Sequence, residues 1–201
     1  MTTDFVRMYR RGEDGALSFR EAWYDGADGQ FVVNHGPVGH QSTTKETPGA
    51  APGEAPGLLD AFAGQCAADG FVELGREEQF WVVAQYALKS AAGTERDRYL
   101  EGKAKAVLAE HFAWRGLGTV ERSEFVPHRL NIYTLCPDPA KAVAAMKTCL
   151  REANLDFTKL SIGVAPYTDL SAIRQKHPMP AKSPFSLSGA AGSQRGASAA
   201  R

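Results

Sequence analysis

Residues 128–167 read HRLNIYTLCPDPAKAVAAMKTCLREANLDFTKLSIGVAPY. The first nine, HRLNIYTLC, read as a strand. Asp138 is placed to cap a helix, and Pro139 suits the first helical position, where a missing N–H costs nothing. Val143, Met146, Leu150 and Ala153 recur at helical spacing and predict its buried side. KLSIGVAPY then closes the run as a second strand. One strand–helix–strand unit is thus legible without any other part of the chain.

Upstream, QFWVVAQYAL (79–88) is rich in valine and aromatics and reads as a strand. TERDRYLEGKAKAVLAEHFAWRGLG (94–118) is the longest helical pattern, with Thr94 as cap and Glu95 and Asp97 in the first turn, where they suit the helix dipole. Leu100, Ala104, Val107, Leu108, His111 and Trp114 predict its apolar stripe. GTVERSEFV (118–126) is another strand, joined to HRLNIYTLC around Pro127. The order strand, helix, strand, strand, helix, strand is that of a ferredoxin-like βαββαβ unit, an antiparallel sheet with both helices on one face. Residues 76–171 hold it.

Residues 1–75 have another grammar. FVRMYRR, LSFREAWY and QFVVNH are short apolar runs separated by GEDG, DGADG and GPVG, the usual hairpin signals. Phe31, Val33 and His35 should share one face of their strand, with Val32 and Asn34 on the other. TPGAAPGEAPG (47–57), with three Pro and three Gly, reads as a loop. LLDAFAGQCAADG (58–70) reads as a short helix with Leu58, Leu59, Phe62 and Cys66 as its stripe and Gly70 as its stop. FVEL (71–74) reads as one more strand. The fold class is therefore α+β: a small antiparallel sheet with a helix, then the ferredoxin-like unit. Residues 172–201, rich in Ser, Gly and Ala towards their end, read as a basic, mobile tail.

The first unit resembles the WGR domain, a small sheet packed on one helix with a Trp-Gly-Arg-Val-Gly run after a strand. The resemblance rests on FREAWYDGADGQFVVNHGPVGHQSTTKE followed by LLDAFAGQCAADGFVEL, including Gly70-Phe71 at the helix end, and covers about residues 5–75. Where the family has its signature, this chain has His35-Gly36-Pro37-Val38-Gly39. The glycines and the valine that serve the turn are kept. The tryptophan and arginine that contact nucleic acid in DNA-binding members are absent. His35, Gly36, Pro37, Val38, Gly39 and His40 are the candidate binding residues, read chiefly as a turn and secondarily as a partner loop.

Charge argues the same way. The chain is neutral overall, but residues 1–75 carry five Lys/Arg and eleven Asp/Glu, a net of −6. Residues 76–171 carry a net of +1, and residues 172–201 a net of +5. An acidic first unit is a poor match for a phosphate backbone. Cys66, Cys136 and Cys149 form no CxxC pair, which fits buried thiols in a reducing cytoplasm. The start lacks the apolar core of a secretory signal, and no window is long and apolar enough to span a bilayer.

No catalytic constellation is legible. His35 and His40 flank one turn without a carboxylate at ligand spacing, and His111 lies on an apolar stripe as an interior histidine would. His128 sits in a connection. No phosphate loop or nucleophile elbow is present, and no metal site or cofactor is expected. Glu77/Glu78 and Glu121/Glu124 read as solvated carboxylates. Trp81, Tyr86 and Tyr133 lie in strands and could stack bases as in the RRM, but the RNP pattern is missing and a core role explains them equally. The leading expectation is a non-enzymatic, protein-binding or regulatory adaptor. Nucleic-acid binding through the WGR-like unit, the aromatics or the tail is the second reading. An enzyme with a site assembled from distant residues is the third.

Overall fold

The computed structural model describes residues 5–181 and 184–188. Within them the chain is α+β, with two antiparallel sheets and three α-helices. The first sheet is a meander in chain order: β1 (Phe5–Arg11), β2 (Leu17–Asp25), β3 (Gln30–Pro37) and β4 (Thr43–Pro48). Helix α1 (Ala55–Ala68) covers one face, packing Leu59 and Cys66 against Met8, Ala22, Phe31 and Phe71.

Three expectations for this region need correction. The run 47–57 is not a plain loop: Thr47 and Pro48 end β4, an edge strand that tolerates proline, Pro52–Glu54 form a 3₁₀ turn, and α1 starts at Ala55. Pro56 sits in the first turn of α1, where its absent N–H has no intrahelical partner to lose. Leu58 faces solvent. FVEL makes only a single bridge, in which Val72 and Tyr9 exchange two 2.8 Å backbone hydrogen bonds.

The second sheet follows with β5 (Phe80–Ala87), α2 (Glu95–Ala113), β6 (Thr119–Val126), β7 (Arg129–Cys136), α3 (Pro139–Glu152), β8 (Leu160–Pro166) and β9 (Arg174–His177). The strand order is β6-β7-β5-β8-β9, and α2 and α3 lie together on one face. Thr94 caps α2 reciprocally with Asp97, whose Oδ2 accepts from the Thr94 N–H at 2.8 Å. The Asp138 carboxylate accepts from the Lys141 N–H at 3.0 Å. Strand β9 comes from residues read as mobile tail; residues 182–183 and 189–201 of that tail lie outside the described residues.

The buried row of α2 is Leu100, Ala104, Leu108 and Phe112. His111 and Trp114 are displaced from it, because a strict four-residue step stays on the sheet side while the intermediate positions turn towards the helix–helix groove. Trp114 is 36% exposed. On α3 the buried residues are Ala142, Met146, Cys149 and Leu150, with Val143 and Ala153 at the margin.

One apolar core joins the two sheets: Tyr9, Leu17, Phe19 and Val38 belong to the same cluster as Phe112, Leu117 and Leu130. The α2–β6 turn is held in this junction. Tyr9 Oη donates to Gly116 O at 3.2 Å and Arg7 Nη1 to Gly118 O at 3.3 Å. Ser42 N donates to Trp114 O at 2.9 Å. Gly116 and Gly118 have φ of 59° and 107°, and a Cβ on Gly116 would lie 2.3 Å from the Phe19 ring. Only glycine satisfies both demands.

Candidate functional site

The GPVG turn belongs to this junction. Val38 is fully buried in the shared core, its N–H donating to Leu17 O at 2.8 Å. Gly39, at φ 88°, donates to Arg115 O at 2.8 Å and lies against the Lys141 side chain. His35, Pro37 and His40 are exposed around it, and Gly36 is half-buried opposite Phe19 in register. Of the six candidate residues, then, Val38 and Gly39 fasten the two sheets together, while both histidines stay at the surface.

The other histidines are dispersed. His111 borders a 390 Å³ groove with Trp114, Glu110 and Glu152, and burial together with the Arg115 charge holds its pKa below the ordinary value. His128 occupies the β6–β7 turn at φ 63°, and His177 lies against Phe157 at 5.1 Å. Among the described residues no group of three or more His, Cys, Asp or Glu could hold a metal. All three cysteines are buried and unpaired, and burial raises each thiol pKa, Cys149 to about 11. Buried thiols of this kind are inert.

A more specific arrangement occupies the face of the second sheet that carries no helix. Alternation along β5 sends Val82, Ala84 and Tyr86 towards the helices and Trp81, Val83 and Gln85 to the opposite side. On β7 the corresponding outer residues are Arg129, Asn131 and Tyr133. Pairing sets Gln85 opposite Asn131 and Val83 opposite Tyr133. The three sequence-predicted aromatics are thereby divided: Trp81 and Tyr133 meet edge to face at 6.0 Å, whereas Tyr86 is fully buried beneath the helices.

A hydrogen-bond relay crosses this face. Tyr133 Oη and Arg122 Nη1 both donate to Glu124, the latter at 3.1 Å, and the Arg122 guanidinium lies 3.6 Å above the Tyr133 ring. Glu124 Oε1 also accepts from Asn131 Nδ2 at 3.3 Å, and Asn131 Oδ1 accepts from Gln85 Nε2 at 2.7 Å. Glu124 is thus no isolated solvated carboxylate. Partial burial opposes its charge, but the hydrogen bonds from Tyr133 and Asn131 and the Arg122 charge outweigh it and hold the carboxyl below its ordinary pKa. Burial, then the bond to Glu124, pushes Tyr133 up to about 12. The relay leaves the remaining N–H donors of Gln85 and Asn131 available to a ligand.

Those donors are taken by the chain itself. Gln85 Nε2 donates to Ser186 O and Asn131 Nδ2 to Leu187 O, each at 3.0 Å. Arg129 Nη1 donates to Ser186 O and, at 3.1 Å, to Ser188 O. Phe185 and Leu187 pack on the cluster of Val83, Tyr133, Ala165 and Ile173. Phe185 reaches the strand backbone at Gly163, where a Cβ would stand 2.8 Å from its ring. Four side-chain hydrogen bonds and two partly buried apolar side chains hold the segment on the face.

Sequence reading missed Gln85, Asn131, Arg129, Phe185 and Leu187. A signal was present: Gln85 and Asn131 are polar residues within otherwise apolar strands. Their pairing is visible only once the strands are in register. No protein-family model, curated protein or solved structure matches the chain.

Proposed function

We propose that this chain is a non-enzymatic protein-binding module, a cytoplasmic adaptor that holds a partner on the helix-free face of its second sheet. One observation carries the reading: Gln85, Asn131 and Arg129 take the main-chain carbonyls of a peptide segment while Val83 and Tyr133 receive its apolar side chains. Side-chain donors fix the main chain of the bound segment, and the apolar contacts select its side chains. The order β8-β5-β7-β6 supports a ferredoxin-like description of this unit, and the four-stranded meander on one helix supports a WGR-like description of the first. Fold likeness leaves the activity open, so the proposal rests on the face.

Two observations weigh against nucleic acid. Base stacking needs an open ring face, and the Arg122 guanidinium lies 3.6 Å above the Tyr133 ring. In the first unit Arg7 pairs with Glu21, Arg20 with Asp69, and Arg11 with Gly15 O, so these guanidiniums already serve the fold.

The test is a peptide-display selection on the full chain carrying Phe185→Ser and Leu187→Ser, which weakens the hold of its own segment. Enriched peptides should lose binding when Gln85 and Asn131 are both changed to Leu. A selection with no binders dependent on these two residues would remove the proposal.

A further inference from the structure

The segment on the helix-free face has a definite chemistry. Phe185 and Leu187 are separated by one serine, and both pack on the same cluster. The chain bends at Leu187 and Ser188, with Ser186 Oγ 2.8 Å from Ser188 Oγ, and this curve turns both apolar side chains towards one face. Between and after them, the carbonyls of Ser186, Leu187 and Ser188 are the atoms received by the sheet. No side chain of the segment makes a charged contact with the face. The sheet therefore reads two apolar side chains at a fixed spacing and a main chain of any sequence.

The amide orientations support this reading. Asn131 Oδ1 is occupied by Gln85 and its Nδ2 is turned outward by the Glu124 carboxylate. Gln85 in turn directs its Nε2 to the segment. Both groups are consequently donors towards a ligand, matched to carbonyls and mismatched to a cation or an amide N–H. A segment tethered to the same chain needs only weak intrinsic affinity at the high effective concentration a short tether provides, so a free ligand of higher intrinsic affinity can exchange with it.

We infer that Pro184–Ser188 is a resident stand-in for a partner's segment bearing two large apolar residues separated by one small polar residue, and that partner binding displaces it. This rests on the protein-binding reading above. It adds the chemistry of the ligand and a competition built into the chain.

The probe is a fluorescent peptide Gly-Gly-Pro-Phe-Ser-Leu-Ser-Gly-Gly, with binding followed by anisotropy. It should bind the full chain carrying Phe185→Ser and Leu187→Ser at least about tenfold more tightly than the unmodified chain, since the tethered segment competes at about millimolar effective concentration. A peptide with Phe and Leu two residues further apart should bind about tenfold more weakly, as should the original peptide when Gln85 and Asn131 are both Leu. Far-UV circular dichroism establishes that each variant is folded. Equal binding to the modified and unmodified chains, absence of binding to a folded modified chain, or indifference to spacing would overturn the inference. Display binders that depend on Gln85 and Asn131 but lack the apolar spacing would sink this inference alone. An empty display selection would sink the protein-binding reading with it.

Discussion

Glu21 and Arg7 stand opposite one another on adjacent strands, and Glu21 Oε2 accepts from Arg7 Nε at 2.6 Å in a site where Glu21 is 1% exposed. The row continues across the sheet. Asn34 Nδ2 donates to Glu21 Oε1 at 3.1 Å, and Thr44 Oγ1 donates to Asn34 Oδ1 at 2.6 Å. Four strands thus contribute one polar residue each on the side away from α1. Changing Glu21→Ala strands a buried guanidinium and should cost about 3–5 kcal/mol. Replacing the pair together, Arg7→Met with Glu21→Leu, should recover most of that loss. Urea unfolding of the three variants measures both numbers, and a single-site cost under about 1 kcal/mol would show the pair to be energetically idle.

Gly116 and Gly118 link the sheets through backbone that no other residue suits. Gly118→Ala would place a Cβ 1.9 Å from Leu135 O, at a φ of 107°. Gly116→Ala would press on the Phe19 ring. Both substitutions should destabilise the chain by more than the roughly 1 kcal/mol that a strained left-handed residue alone costs, with Gly118→Ala the worse because a carbonyl in a strand moves less readily than a ring. Thermal melts of the two variants rank them.

Leu108 and Trp114 separate the true stripe of α2 from the expected one. Leu108 is fully buried, so Leu108→Ala should cost about 2–5 kcal/mol. Trp114 sits at the groove mouth, and Trp114→Ala should cost clearly less despite removing more atoms. Similar losses at both positions would place Trp114 in the core after all.

Acid should weaken the relay on the helix-free face. The folded-state pKa of Glu124 lies below its unfolded value, so its stabilising contribution is complete above the ordinary carboxylate pKa and disappears as pH falls through the folded value. Between about pH 5 and 3, the unmodified chain should therefore lose stability more steeply than Glu124→Gln. Parallel slopes for the two chains would detach Glu124 from the relay.

Local chemistry determined much of this protein from the sequence alone. Apolar alternation and turn signals marked β1, β2 and β3, short runs rich in β-formers marked β5, β6, β7 and β8, and the Thr94 and Asp138 caps marked the starts of α2 and α3, because each of these signals lies within a few neighbouring residues. The Pro/Gly-rich run 47–57 was misread for a related reason: proline is compatible with an edge strand and with a first helical turn, and only the neighbours decide which. Tertiary structure alone decided the rest. Val38 became a link between sheets because Leu17 and Arg115 supply partners for its turn. The aromatics Tyr86 and Tyr133 took opposite sides because pleat and register, which no single strand sets, assign each to a face. Phe185 found its place at Gly163 because a glycine there leaves room for a ring, a contact between residues distant in sequence that composition had marked only as tail.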